Sequence, residues 1–185
     1  MKQIAVISSS VREGRLSNRV ALYLKKFLEE MPGVKAGILD LKEYDFPLFE
    51  ERFVYQRQPS EKLLDFTEHL TRADGVVLVS PVYNGSFPAS LKNVIDLYYN
   101  EWKRKPVAVV SVTAGPVPGI ATVQELQVLM LKLGAFVVPK LSTVIRVGEE
   151  YTPEGDATDR QTADAVLLPM AEELMWMIDR CIAGR

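Results

Sequence analysis

The chain has 185 residues, of which 48% are hydrophobic and 25% are charged, and its formal net charge is −2 at pH 7. Such values exclude a disordered or fibrous chain, and they lack the basic excess of a general nucleic-acid-binding protein. One cysteine and one histidine are too few for a structural zinc site or a disulfide framework. We expect a single domain over residues 1–185 without a metal site, because the length is close to that of one ordinary domain.

The location of the protein is predicted from the same sequence features. No apolar run approaches the roughly 18 residues that a membrane span needs. Met1-Lys2-Gln3 leads directly into a strand-like segment, without the apolar leader of an export signal. Together with the single cysteine, these features predict a cytoplasmic protein with no membrane span.

Apolar segments and amphipathic segments alternate along the chain. Near-continuous apolar runs bounded by Gly, Pro, Ser and Asp are typical of strands in a parallel sheet that is buried on both faces. Between them, apolar residues recur at the i, i+3, i+4, i+7 spacing of helices. In chain order, the predicted strands are 4–7, 34–39, 76–79, 107–112 and 136–138, and the helical patterns cover 17–31, 60–72, 91–98, 126–133 and 160–182.

This alternation predicts a doubly wound α/β protein, in which a five-stranded parallel sheet lies between two layers of helices. Because crossover connections are right-handed, few strand orders are possible, and 2-1-3-4-5 is a common one. In that order the first and third strands are neighbours whose connections diverge, and a ligand crevice opens at their carboxyl ends. The loops after strands one, three and four are therefore the candidate binding segments.

The loop after the first strand, residues 8–18, reads Ser-Ser-Ser-Val-Arg-Glu-Gly-Arg-Leu-Ser-Asn. Small hydroxyl residues, arginine and the start of a helix favour a phosphate-binding interpretation. In the alternative interpretation, Ser17 only caps the helix, and Arg12 and Arg15 are solvated surface charges. Gly14 is the only glycine of the loop, so it matches neither the dinucleotide fingerprint GxGxxG nor the P-loop.

The loop after the third strand, Pro81-Val82-Tyr83-Asn84-Gly85-Ser86-Phe87-Pro88, enters a helix with Pro88 near its first position. Asn84-Gly85 predicts a turn with positive φ. A rigid turn can aim backbone N–H and C=O groups at the edge of a heteroaromatic ring, while Tyr83 or Phe87 contacts its face. The alternative is a strand-to-helix turn without a ligand.

The loop after the fourth strand, Thr113-Ala114-Gly115-Pro116-Val117-Pro118-Gly119, begins with three small residues. Small side chains permit the close approach of a flat ligand to the backbone. A tight Gly/Pro turn without a ligand is again the alternative.

No side chain is predicted to act as a nucleophile or as a general acid or base. His69 lies on the polar face of its helix, which removes a Ser-His-Asp arrangement, and no GxSxG elbow is present. Cys181 lies on the apolar stripe of the last helix, where a cysteine usually acts as a small hydrophobic residue.

Several motifs of the sequence occur together in one protein family. They are Ser9-Ser10-Val11-Arg12 with Ser17-Asn18, then Pro81-Val82-Tyr83-Asn84 with Pro88 and Leu91-Lys92-Asn93-Val94-Ile95-Asp96, and finally Leu133-Gly134-Ala135 with Pro139. On these motifs the chain resembles the NAD(P)H-dependent FMN reductase family of flavodoxin-like proteins, which includes quinone and azo-dye reductases. The resemblance spans most of the chain and implies a flavodoxin-like fold for the predicted three-layer sandwich.

The sequence departs from the family pattern at three places. Ser9 replaces the usual glycine, and Val82 replaces the usual acidic residue. Residues 117–121 stand where many relatives have a glycine pair followed by arginine. The third departure leaves the preferred nicotinamide nucleotide and the acceptor open.

The resemblance implies an FMN site built from the three loops. For the phosphate, the implied residues are Ser10, Arg12, Ser17 and Asn18, and for the ring they are Pro81, Val82, Tyr83, Asn84 and Gly85, with Thr113, Ala114 and Gly115 near its pyrimidine side.

The resemblance further implies an oxidoreductase that takes NADPH or NADH as the reductant. Hydride would pass from the nicotinamide to flavin N5, and the electrons would continue to free flavin, a quinone, an azo compound or another small acceptor. Backbone N–H groups would stabilise the charge that the ring gains. A homodimer or homotetramer is also implied, with Leu97-Tyr98-Tyr99 and Trp102 as candidate contacts between subunits.

Two other functions stay open at this point. A flavodoxin-like electron carrier would bind FMN without oxidising NAD(P)H itself. Flavodoxins usually carry a TxTGxT phosphate loop and strong negative charge, whereas this chain has an arginine-containing loop and nearly balanced charge. A hydrolase or nucleotide-binding regulator is the third possibility, because a fold alone does not determine chemistry.

Overall fold

A parallel sheet forms the centre of the protein in the computed structural model, which describes residues 1–183. Its strands are β1 (Lys2–Ser8), β2 (Val34–Asp40), β3 (Gly75–Pro81), β4 (Pro106–Val112), β5 (Phe136–Val137) and β6 (Ser142–Val144). The order is β2-β1-β3-β4-β5, with β6 also paired to β4, and every pair is parallel. The predicted strand order 2-1-3-4-5 is therefore confirmed.

Helices cover both faces of the sheet. They are α1 (Ser17–Glu29), α2 (Leu41–Tyr44), α3 (Glu61–Arg72), α4 (Ala89–Leu97), α5 (Ile120–Lys132), α6 (Val147–Glu150) and α7 (Arg160–Ala183). One core cluster joins α1 and α7 to one face of the sheet, and a second joins α3, α4 and α5 to the other. The predicted flavodoxin-like three-layer sandwich is confirmed.

The central strands show why the apolar pattern predicts this fold. All seven residues of β3 and all seven of β4 are buried. Val77 and Val79 belong to the cluster of α1 and α7, whereas Val76 and Leu78 belong to the opposite cluster. Since successive side chains point to opposite faces, a strand covered by helices on both sides is mostly apolar, and Ser80 and Ser111 are the polar side chains of these two strands.

The outer edge of the sheet differs from the prediction of one fifth strand over 136–138. Two short segments share that position, because Phe136 and Val137 pair with the start of β4, and Ser142–Val144 pair with its end. Pro139 lies between them and has no N–H to donate, which interrupts a continuous ladder. The fifth position of the sheet is therefore filled by β5 and β6 together.

The ends of the first and last helices differ little from the predicted bounds. The first helix ends at Glu29 and not at residue 31, shortly before Pro32. α7 runs to Ala183 with Pro169 inside it, and Cys181 is half-buried on its surface and not part of the core.

Among the described residues, no helix combines the length and the apolar character that crossing a bilayer requires.

The predicted subunit contacts after α4 are corrected by the structure. Leu97, Tyr98 and Trp102 are buried within the chain itself, and only Tyr99 is exposed. Tyr98 packs edge-on against Trp102, whose indole N–H donates to the carbonyl of Ile95 at 3.2 Å. Large aromatic side chains gain more from burial in the core than from a surface position, and the sequence pattern does not separate the two.

Candidate functional site

A cavity of about 650 Å³ opens at the carboxyl ends of β1, β3 and β4. This is the crevice that the strand order predicts. All three candidate loops form its walls, together with one residue of α6. The lining residues are Arg12, Gly14, Arg15, Leu16 and Ser17, then Pro81, Val82 and Tyr83, then residues 112–119, and Val147.

The β1–α1 loop is held in place by hydroxyl groups. The Ser9 hydroxyl donates to the carbonyl of Val79 at 2.8 Å, and the Ser90 hydroxyl donates to the carbonyl of Ser9 at 2.6 Å. The hydroxyls of Ser10 and Tyr83 lie 2.6 Å apart and share a hydrogen bond. These bonds join the first loop to β3 and to the loop that follows it, so the two walls of the cavity are coupled.

The amino terminus of α1 is arranged to receive an anion. Its first residue, Ser17, has a buried hydroxyl with no hydrogen-bond partner among the described residues. Leu16 precedes the helix and supplies no side-chain cap, and the N–H of Arg19 donates to the carbonyl of Leu16 at 3.1 Å, so the N–H groups of Ser17 and Asn18 are the first-turn donors left for a ligand. The alternative in which Ser17 caps the helix is wrong. Because an orphaned buried hydroxyl is costly, a phosphate oxygen placed here would satisfy it.

The two arginines of this loop differ in what they contact. The Arg15 guanidinium forms a two-pronged pair with the Asp40 carboxylate at the end of β2, and it donates to the carbonyl of Ser10 at 2.6 Å. Arg15 is therefore not the solvated charge of the alternative interpretation. Arg12 is exposed and lines the cavity, and its guanidinium has no partner in the described chain. Arg12 is thus available to a ligand, whereas Arg15 holds the loop.

The β3–α4 loop contains the turn that Asn84-Gly85 predicts. Both residues have positive φ, 52° at Asn84 and 84° at Gly85. Backbone hydrogen bonds of 2.8 and 3.1 Å between Tyr83 and Ser86 close the turn. Asn84 and Gly85 are exposed and do not line the cavity, so the turn aims the preceding residues, 81–83, at it.

We expect Tyr83→Phe to lower the free energy of unfolding by about 1 kcal/mol, because it leaves the buried Ser10 hydroxyl with only a long contact, 3.4 Å, from the backbone N–H of Arg12. FMN affinity should fall as well, since the two loops lose their link. Chemical denaturation followed by circular dichroism measures the first effect. Tyr55→Phe is the matched control, because Tyr55 is exposed. Equal destabilisation by both changes would contradict the role of the hydrogen bond.

The β4–α5 loop presents backbone and small side chains to the cavity. Thr113 donates from its hydroxyl to the carbonyl of Gly115 at 3.1 Å, a bond within the loop. The space around Gly115 is open, whereas Gly119 packs tightly. A Cβ at Gly119 would lie 2.5 Å from Cγ2 of Val82 and 2.8 Å from the hydroxyl of Ser111. Only glycine at this position lets the two loops approach so closely.

We expect Gly119→Ala to lower the free energy of unfolding by about 1–2 kcal/mol, because its methyl group overlaps Val82 and buried Ser111. Gly115→Ala in the same loop is the control, since apart from its chain neighbours no atom of residues 1–183 would lie within 4 Å of the added Cβ. Thermal unfolding of the two proteins compares them. A loss of stability at residue 115 that matches the loss at residue 119 would show that packing is not the cause.

The structure brings together eight of the twelve residues that the sequence nominates, and it places four elsewhere. Ser10 is fully buried and bonded to Tyr83, Asn18 is half-buried on α1, and Asn84 and Gly85 are exposed at the turn tip. The predicted contacts of all twelve with FMN stay predictions. Those on the cavity wall are Arg12, Ser17, Pro81, Val82, Tyr83, Thr113, Ala114 and Gly115.

Some lining residues are not in the predicted set. Leu16, the segment 116–119 and Val147 contribute to the walls, and Asp40 contributes through Arg15. A signal for Asp40 exists in the sequence, because an acidic residue at the end of β2 lies beside the β1 loop in this strand order. For Val147 there is none, since its place depends on the path of the chain after β6.

Comparison with known proteins identifies the family. The model of a family described as NADPH-dependent FMN reductase matches residues 2–149. The chain belongs to this family. It is 30% identical over 165 residues to the NAD(P)H-dependent FMN reductase LOT6 of Saccharomyces cerevisiae, covering 82% of this chain and 85% of the relative. It is also 30% identical over 172 residues to a quinone reductase of Escherichia coli, covering 88% of each chain.

Solved structures agree with this assignment. The flavoenzyme NAD(P)H:(acceptor) oxidoreductase FerB of Paracoccus denitrificans superposes with a TM-score of 0.78 at 25% identity, over 96% of this chain and 97% of that one. An archaeal flavodoxin superposes with a TM-score of 0.61 at 14% identity, covering 95% of this chain and 99% of that one, which shows the fold alone. The resemblance found in the sequence motifs is confirmed, and with it membership of a family of oxidoreductases that use FMN with NAD(P)H.

Proposed function

We propose that this protein is an NAD(P)H-dependent FMN oxidoreductase whose flavin occupies the cavity between the three loops. The observation that supports this most is that two unpartnered groups line the same cavity. They are the buried hydroxyl of Ser17 and the exposed guanidinium of Arg12. A helix amino terminus with an arginine and a hydroxyl suits a phosphate. The small-residue walls at the other end suit a flat ring.

Different residues of the chain would contact the phosphate and the ring of FMN. Arg12, the hydroxyl of Ser17 and the N–H groups at the first two positions of α1 would hold the phosphate. The segments 81–83 and 113–115 would border the ring, and their backbone groups would hydrogen-bond its edge. Arg15 and Asp40 would act from outside the ligand by fixing the shape of the loop. These assignments follow from which groups line the cavity and which are already paired.

When bound, FMN supplies the redox chemistry, because its ring takes a hydride from a nicotinamide and delivers electrons to an acceptor. The protein side of the reaction needs no nucleophile, and the described residues that line the cavity include neither histidine nor cysteine. His69 is exposed on α3, where its Nδ1 lies 2.9 Å from the carbonyl of Asp65. The contribution of the chain is to orient the ring, limit its contact with water and offer N–H donors to the charge that it gains.

Steady-state oxidation of NADPH and of NADH by the FMN-loaded protein tests this function. We expect turnover with a quinone or free flavin as the acceptor, and an acceptor panel would identify the preferred one. An electron carrier would bind FMN but show negligible turnover with flavin, quinone and ferricyanide. That result would reject the enzyme and leave the carrier.

We also propose that the protein assembles as a homodimer or homotetramer and acts in the cytoplasm. The exposed apolar residues Leu48, Val54, Tyr55 and Tyr99 form candidate contact surface, in place of the buried aromatic residues after α4. Equilibrium sedimentation would measure the assembly. The single cysteine supports a reducing location.

A further inference from the structure

A second cavity, of about 850 Å³, lies at the opposite end of the sheet from the proposed flavin site. It opens beside the amino ends of β4 and β5, between the last part of α7 and the chain that leads into β4. Its walls share no residue with the first cavity. The lining residues are Lys103, Arg104, Lys105, Leu131, Ala135, Phe136, Val137, Trp176, Met177, Arg180 and Cys181.

Every charged side chain that the described part of the chain contributes to the wall of this cavity is cationic. Lys103, Arg104 and Arg180 form no ion pair within residues 1–183, although other surface cations such as Lys92 and Arg160 are paired with carboxylates. Like charges held close together without counter-charges repel one another. An anionic ligand would relieve this repulsion, so the charge pattern favours an anion.

Large apolar side chains are exposed beside these cations. Trp176 is 54% exposed, Leu131 59% and Phe136 46%. The guanidinium of Arg180 lies 5.5 Å from the centre of the Trp176 ring, a cation–π distance. An arginine in this position can still donate from its edge to a phosphate or carboxylate. Aromatic surface and guanidinium edges are thus offered to the same ligand.

Lys105 also lines this cavity, but its charged end contacts the backbone at the end of α3. The Lys105 ammonium group donates to the carbonyls of Leu70 and Ala73 at 2.6 and 2.9 Å, near the carboxyl end of α3. Lys105 is buried, so its position is set by the fold. The ammonium group of Lys105 is therefore engaged within the fold, and the cations that a ligand would meet are Lys103, Arg104 and Arg180.

We propose that this cavity binds an aromatic anion of about the size of a mononucleotide. Its ring would lie against Trp176 and Phe136, and its phosphate or carboxylate would contact Lys103, Arg104 and Arg180. The volume lies within the range of about 300–1,000 Å³ that is usual for small-molecule sites. A second copy of the chain fits this surface poorly where the two-fold axis passes through the cavity, because the basic walls of the two copies would then face each other.

Calorimetric titration of the full chain, saturated with FMN, tests this site with two probes, adenosine 5′-monophosphate and 1-naphthyl phosphate. We expect at least one to bind, and to bind more weakly at higher salt. The double variant Arg104→Gln/Arg180→Gln should weaken binding at least about tenfold, because it removes two charged hydrogen bonds. Arg57→Gln, which removes an exposed arginine outside the cavity, should leave the affinity unchanged. Trp176→Ala should weaken the binding of 1-naphthyl phosphate, the probe with the larger ring system, more than the binding of adenosine 5′-monophosphate.

Three results would overturn the proposal. The first is no binding of either probe at about 5 mM, where even a site of millimolar affinity would be occupied. The second is full affinity in the double variant, or in Lys103→Gln if the double variant does not fold. The third is binding that Arg12→Ala abolishes while the double variant retains it, since the probe would then occupy the first cavity. This test does not rest on the proposed flavin activity, and turnover of NADPH is measured separately.

Discussion

Replacing Asp40 by alanine is expected to lower the free energy of unfolding by about 3 kcal/mol. The carboxylate pairs with Arg15 through two hydrogen bonds, and the side chains of Arg15 and Asp40 are only 9% and 20% exposed. Removal of one partner leaves the other charge without compensation in a mostly buried place. Asp40 also accepts from the backbone N–H of Lys42 at 3.1 Å at the start of α2. Urea unfolding measures the loss.

The same substitution should weaken FMN binding, because Arg15 no longer holds the carbonyl of Ser10. Asp40→Asn separates the loss of the ion pair with Arg15 from the loss of the hydrogen bond to the Lys42 N–H, since the amide oxygen can still accept that bond but carries no charge. The control is Glu13→Gln, which removes the exposed pair between Glu13 and Lys42. Lys42 holds the pKa of Glu13 below its usual range, yet Glu13 is so exposed that the unfolding midpoint should not change. An Asp40→Ala protein as stable as Glu13→Gln would disprove the structural role of the buried pair.

Arg12→Ala is expected to weaken FMN binding by about 1.5–3 kcal/mol, which is roughly a 10- to 150-fold rise in Kd. The guanidinium lines the cavity and has no other partner among the described residues, so its loss removes a charged hydrogen bond to the phosphate. The stability of the protein without ligand should stay nearly the same, because Arg12 is exposed. Fluorescence titration of FMN into the flavin-free protein measures the affinity.

Riboflavin supplies the internal control for Arg12, because it has the same ring but no phosphate. The variant should bind riboflavin as the unaltered protein does, and Arg57→Ala, an exposed arginine outside the cavity, should change neither affinity. Equal affinity of the unaltered protein for riboflavin and FMN would contradict the phosphate assignment. An equal loss for both ligands in Arg12→Ala would assign Arg12 to the ring and not to the phosphate.

Most of the fold is predictable from the sequence because each central strand is covered on both faces. The nearly continuous apolar runs of β3 and β4 favour a parallel sheet covered on both faces, and right-handed crossovers then restrict the strand order. The edge is less predictable. There the run ends at Pro139, and only the three-dimensional path shows that Ser142–Val144 returns to β4.

The site is predictable as a set of loops and less so as a set of side chains. Strand order alone brings the three loops together, which is why most nominated residues line one cavity. Ser10 lies outside it because its hydroxyl meets Tyr83, 73 residues along the chain, and a partner so distant leaves no local pattern. Arg15 is paired and Arg12 is not because Asp40, 25 residues further along the chain, contacts Arg15 and not Arg12, and this distant contact also leaves no local pattern.

A crystal structure of the protein grown with FMN tests the central claim most directly. We predict flavin density between the three loops, with the phosphate against Arg12, Ser17 and the amino end of α1, and the ring between residues 81–83 and 113–115. Flavin bound elsewhere, or only solvent in this cavity at saturating FMN, would contradict the account.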